Sequence, residues 1–179
     1  MFKPDNTALA LIDIQGKLAT LMYQREPLYR NLQILVKGAQ VLQLPVLWLE
    51  QYPQGLGPTI PEVAELLKGQ QPLTKVCFSA CGLEEFRQGL RATGRQQVLL
   101  AGIEAHVCVY QTCCDLLEEG YQVEAVADAI SSRTPENRHL GLDKMARAGA
   151  GITSVEMALF ELLRVAGTPQ FKEIAKLVK

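Results

Sequence analysis

The sequence predicts a single α/β domain over residues 1–179, a three-layer α/β/α arrangement with a doubly wound, mostly parallel sheet. Three observations carry that expectation. Short apolar runs alternate along the chain with stretches of 3.6-residue hydrophobic period. The runs are apolar at successive positions, as strands buried between two helical layers must be. No repeat, low-complexity tract or linker divides the chain, and 179 residues suit one domain.

The elements follow in order. TALALID (7–13) reads as the first strand. Residues 27–43 place Leu28, Leu32, Leu35, Val36, Ala39 and Leu42 at helical spacing. Pro45 opens a second strand, VLWLE (46–50), and QYPQGLGPTIP (51–61) carries enough Gly and Pro to be a loop. A short helix is expected at 62–68, a small strand at 73–78 and a helix at 83–92. QVLLAG (97–102) is a strand, 106–119 a helix stopped at Gly120, and YQVEAVAD (121–128) the next strand. A Pro-started helix spans 135–148, GITS (151–154) is a brief strand and 155–165 a helix. The tail TPQFKEIAKLVK adds an amphipathic turn or two. Strands joined through helices imply right-handed crossovers. In such a sheet small molecules bind beyond the carboxyl ends of the strands, where the strand order reverses.

Composition narrows the function. The chain is 48% hydrophobic and 21% charged, with 18 basic and 19 acidic residues for a net charge of −1. That balance gives no reason to expect nucleic acid or an anionic membrane as partner. No run of about 18 apolar residues is long enough to span a bilayer. The start MFKPDNTALALID has a Pro and an Asp where a signal peptide is apolar. The five cysteines are odd in number and follow no framework spacing, so reduced thiols and a cytoplasmic location are expected.

Three polar groups follow apolar strands: Asp13, Lys75, and Cys108 in GIEAHVC (102–108). Each has an ordinary reading as a cap, a surface charge or an inert core thiol. Together they make chemical sense. A thiol reacts as thiolate, its pKa falling beside a cation and at a helix N-terminus; Lys75 and the 106–119 helix are the candidates. Asp13 could take the thiol proton and later pass it to a leaving amine. His106 lies two residues from Cys108, where side chains near a helix start do not face each other, so a capping or packing role is expected. Cys77 and Cys81 lack a second ligand pair for zinc; Cys81 is expected near the rim of the site, Cys113 and Cys114 in the core or an interface. GLG (55–57) opens no helix directly and is no dinucleotide fingerprint, and no phosphate-binding loop motif occurs.

The combination LIDIQ (11–15), KVCFSA (75–80), AGIEAHVCV (101–109) and GYQVEAVADA (120–129) resembles the isochorismatase-like cysteine hydrolases, from about residue 7 to about 160. EQYPQGLGPT (50–59), SSR (131–133) and PQFKEI (169–174) are more narrowly similar to the isochorismatase domain-containing proteins. The resemblance implies a Rossmann-like fold and an Asp–Lys–Cys triad at Asp13, Lys75 and Cys108. It also implies a cis peptide bond between Ile103 and Glu104. The backbone N–H groups of Glu104 and Cys108 would then form an oxyanion hole, needing no particular side chain. Family members assemble as dimers, tetramers or larger rings, so a homo-oligomer is expected, with the 155–165 helix and the tail as contacts.

Departures from the family shape the expected chemistry. Nicotinamidase-like members hold a metal with an Asp and histidines after the second strand. Here Gln51 and Pro53 occupy the matching positions, so no metal and no cofactor are expected. The isochorismate-cleaving members lack the Cys, so Cys108 favours acyl chemistry. The expected function is hydrolysis of a C–N bond in a small amide-like molecule through a thioester. Gln15, Gln51 and Tyr52 are candidate pocket groups. The rivals are a nicotinamidase, an isochorismatase proper, and a catalytically idle oligomeric interaction module.

Overall fold

Six strands form one sheet in the computed structural model, which describes all 179 residues. They are β1 (Thr7–Ile12), β2 (Val46–Gln51), β3 (Leu73–Lys75), β4 (Gln97–Ile103), β5 (Gln122–Ser131) and β6 (Gly151–Thr153). Every pairing is parallel, in the order β3-β2-β1-β4-β5-β6. The chain builds outward from β1 through β2 to β3, then returns to the other side of β1 for β4. The reversal therefore lies between β1 and β4.

The helices are α1 (Gly16–Thr20), α2 (Arg25–Val41), α3 (Pro53–Leu56), α4 (Pro61–Ala64), α5 (Glu84–Ala92), α6 (Tyr110–Glu118), α7 (Pro135–Ala148), α8 (Val155–Leu163) and α9 (Pro169–Leu177). Alternation along β1 divides the core. Leu9 and Leu11 pack with α2, α8 and α9 on one face, while Ala8, Ala10 and Ile12 pack with α5, α6 and α7 on the other. The apolar stripe expected on 27–43 is the buried side of α2.

Four expectations need correction. The loop 51–61 contains a helical turn, α3, opened by Pro53. The strand expected at 73–78 stops at Lys75, and Val76 and Phe78 are exposed beyond it. β5 runs three residues further than expected, past an irregularity in its pairing with β4 between Leu100 and Gly102. The tail forms a nine-residue helix because Thr168 caps it, accepting from Phe171 N, with Pro169 at its first position.

Register brings the strand ends together. Ile12 aligns with Leu49 on β2 and with Gly102 on β4, and Gln51 aligns with Lys75. Asp13, Gln51, Lys75 and Glu104 thus share one rim of the sheet. Gly102 (φ +124°) permits the closest approach there: a Cβ would lie 2.1 Å from the Ile12 carbonyl oxygen.

Candidate active site

Asp13 leaves β1 in the left-handed region (φ 52°) and is 2% exposed. Lys75 ends β3, two strands away, with a wholly buried side chain. Its ammonium donates to Asp13 Oδ2 (2.7 Å), Gln51 Oε1 (2.7 Å), the Phe78 carbonyl (3.0 Å) and the Cys77 carbonyl (3.2 Å). A buried charge persists only when paired and hydrogen-bonded, and this one is both. Asp13 Oδ1, by contrast, is buried and accepts no hydrogen bond that meets ordinary distance and angle criteria.

Cys108 lies in the turn that leaves β4. The Ile103–Glu104 peptide bond is cis. The Glu104 carbonyl then accepts from Val107 N (3.1 Å) and Val109 N (3.3 Å), the second bond spanning five residues. The helix expected from 106 therefore begins as a wide π-turn over Ala105–Val109, a form common at functional sites, and becomes α-helical only at Tyr110. Hydrophobic period alone does not distinguish the two. No backbone carbonyl accepts the Glu104 N–H.

Asp13 and Cys108 line one cavity of about 130 Å³. Leu18, Leu56, Ile103 and Val107 make its walls apolar, half-exposed Phe78 borders it, and Gln51 and Glu104 are its other polar residues. Lys75 stands behind Asp13 and does not line it. The larger cavity of about 450 Å³ lies elsewhere, beside Arg30, Asp128 and Glu156, and contains none of these groups.

Burial dominates the electrostatics. It pushes the Cys108 thiol up to about 12; the neighbouring Asp13 charge acts in the same direction and Lys75 opposes. Burial also raises Asp13, against the charge and hydrogen bond of Lys75 and a contact with the Cys108 thiol. The expectation that Lys75 and a helix start would acidify the thiol is corrected accordingly. Burial and the Asp13 charge together outweigh Lys75.

The remaining candidates fall in different places. Gln15 is fully buried and commits its amide to the loop backbone, donating to Gly57 O (2.7 Å) and Gln51 O (3.1 Å) and accepting from Gln51 N. It does not line the cavity. Gln51 does, but its amide is engaged by Lys75 and by Val76 O (2.8 Å). Tyr52 is 54% exposed and lies outside the cavity. His106 Nδ1 and Ser132 Oγ share a hydrogen bond of 3.0 Å, so the imidazole is engaged by the segment after β5 and not by the cysteine. Cys81 sits in the core instead of at the rim, its thiol also pushed up to about 12 by burial. No three His, Cys, Asp or Glu side chains converge anywhere in a metal-binding group.

Two residues went unnoticed in the sequence. Glu50, buried, accepts from Thr59 N (2.7 Å) and Thr59 Oγ1 (2.8 Å) and so pins the loop that carries Leu56. Its signal, an acid ending an apolar strand, is the one that marked Asp13. Arg133 pairs with Glu104, Nε to Oε1 at 3.0 Å; only the SSR resemblance pointed to that segment.

An isochorismatase domain is matched over residues 7–157. The chain belongs to the isochorismatase family of hydrolases. It is 41% identical over 177 residues to isochorismatase domain-containing protein 2 of Bos taurus, covering 98% of this chain and 84% of that relative. The structure of MAR1 ribonuclease from Caenorhabditis elegans superposes with a TM-score of 0.93 at 39% identity, covering 99% of this chain and 91% of the other. The Escherichia coli YcaC product, described as an octameric hydrolase of unknown specificity, matches with a TM-score of 0.92 at 25% identity, covering 98% and 89%. No helix is long and apolar enough to cross a membrane.

Proposed function

We propose that the protein is a cysteine hydrolase that cleaves the C–N bond of a small amide through a thioester on Cys108, without a metal or other cofactor. One observation carries the reading. Asp13 has one oxygen fixed on buried Lys75 and the other unpartnered, in the same small cavity as the Cys108 thiol.

The steps follow from that arrangement. The thiol is not ionised at rest, so its proton passes to Asp13 Oδ1 as sulfur attacks the carbonyl carbon and the C–S bond forms. The oxyanion is held by the N–H of Glu104, which no backbone group uses, and by that of Cys108. As the intermediate collapses, the C–N bond breaks and Asp13 gives its proton to the departing amine or ammonia. Water then loses a proton to Asp13 and attacks the thioester, the C–S bond breaks, and sulfur recovers its proton. Lys75 remains an ammonium throughout and keeps Asp13 Oδ2 in place.

Size and polarity define the substrate class. An apolar cavity of about 150 Å³ holds a benzene molecule. The present one, about 130 Å³, therefore suits an acyl group of a few carbons and not a nucleotide. That volume and the net charge of −1 favour an amide over the RNA that the name of the Caenorhabditis elegans relative suggests. The five free cysteines support work in a reducing compartment such as the cytoplasm. The octameric relative supports a homo-oligomer, a dimer or larger.

The deciding experiment is a panel of small primary amides, with a single-stranded RNA alongside, assayed with wild type and Cys108→Ala, each with and without chelator. Wild type should hydrolyse at least one amide, leave RNA intact and ignore the chelator. Cys108→Ala should lose at least about 10³-fold in kcat/KM. Equal turnover by both proteins would remove Cys108 as nucleophile.

A further inference from the structure

We propose that the Glu104 side chain reads the substrate: its free carboxylate oxygen accepts a hydrogen bond from an amine or hydroxyl carried by the small molecule held beside Cys108. The inference rests on the reading of that cavity as the substrate site.

Oxyanion binding uses only the Glu104 backbone, so it does not explain a carboxylate there. A carboxylate that is nearly buried persists where its oxygens are bonded or keep access to solvent or a ligand. The Glu104 side chain is 9% exposed and lines the cavity. Its Oε1 takes both bonds that Arg133 offers, from the backbone N (3.2 Å) and from Nε (3.0 Å). Oε2 receives no hydrogen bond from the chain. The other polar side chains around the cavity are already engaged. Gln51 is bonded through both amide atoms, and Asp13 holds Lys75 with one oxygen and lies against the thiol. On a residue that lines this cavity, Glu104 Oε2, unbonded and not closed off from solvent, is the acceptor left for a ligand. A site with such an accessible, unused acceptor discriminates against analogues that lack the matching donor.

A purely structural alternative makes Glu104 and Arg133 a tie between the β4 turn and the segment after β5. Glu104→Gln separates the two roles, since its amide oxygen still serves Arg133 while the free group becomes a donor. The readout is the alkylation rate of Cys108, followed by peptide mass spectrometry, with 2-bromoethylammonium and with iodoacetate, each normalised to free cysteine. Wild type should favour the ammonium reagent by about tenfold. Glu104→Gln should lose most of that preference, and Arg133→Gln should keep or increase it. Retention of the wild-type preference in Glu104→Gln, its loss in Arg133→Gln, or its absence from wild type overturns the proposal and leaves the hydrolase reading standing. Failure of Cys108 to react with either reagent also overturns the proposal, and only an inactive amide panel besides overturns the hydrolase reading.

Discussion

The two ends of the sheet both bury polar side chains, and they treat them differently. At the amino end, Gln97 accepts from Lys3 N (2.8 Å) and Thr7 Oγ1 (3.3 Å) and donates to Gln122 Oε1 (2.8 Å). That cluster is neutral, and its central amide is served on both sides. At the carboxyl end, Asp13 and Lys75 are charged, Asp13 Oδ1 is left over, and a thiol stands beside it. A closed polar cluster holds strands in register. An open one, kept buried at a cost, is where chemistry is expected.

Removing the cation should break the comparison most severely. Lys75→Met leaves the Asp13 carboxylate buried without its partner, which should cost about 3 kcal/mol or more in denaturant unfolding. Turnover should fall at least about 10³-fold, because Asp13 loses both its placement and its charged form. A Lys75→Met enzyme with near-normal kcat would separate the ion pair from the chemistry.

Next in size is a change at a distance from every reacting atom. Gly141, on α7, faces the π-turn, and a Cβ there would lie 2.6 Å from the carbonyl carbon and oxygen of Ala105. Backbone cannot yield as a flexible side chain can, so Gly141→Ala should shift the segment that carries Cys108. A displacement approaching 1 Å should lower kcat by roughly 10²-fold. Gln97→Ala, at the closed end, should behave in the opposite way. It should cost about 1–3 kcal/mol for the partners left unbonded, while kcat/KM of the folded protein, measured below its melting range, stays within about twofold.

The same contrast explains what the sequence made legible. Continuous apolar runs such as TALALI and QVLLAG reveal buried parallel strands, since few other structures bury every position, and those strands place Asp13 and Lys75 at one rim. The motifs around Cys108 did the rest. What stayed hidden depends on hydrogen-bond geometry that residue type does not encode. A glutamine after a strand reads alike whether it faces a ligand or, as Gln15 does, braces a loop from within. A π-turn has the same apolar spacing as the first turn of a helix, so the late start of α6 left no trace. The thiol's raised pKa follows from burial in the folded chain, which outweighs Lys75, the cation expected beside it.

The last prediction concerns pH and uses Asp13, the carboxylate at the open end. Asp13 must be a carboxylate to take the thiol proton, and burial raises its pKa above the ordinary 3.8. The acid limb of kcat/KM should therefore lie above the usual carboxylate range, with activity lost as pH falls through the raised value. Stability should move the other way. Between 3.8 and the raised value the folded chain binds a proton that the unfolded chain does not, so this group's contribution increases as pH falls and decreases as pH rises. Asp13→Asn combined with Lys75→Met, which leaves no lone ammonium buried, removes the titration while leaving Gln97 and its partners untouched. Melting temperatures of wild type and this double variant, compared from pH 7 down towards 4, should diverge in favour of wild type over the same interval in which wild-type activity disappears. Activity lost together with a relative fall in wild-type stability would mean that Asp13 titrates below its ordinary value, and that Lys75 outweighs burial in setting the charge at the open end of the sheet.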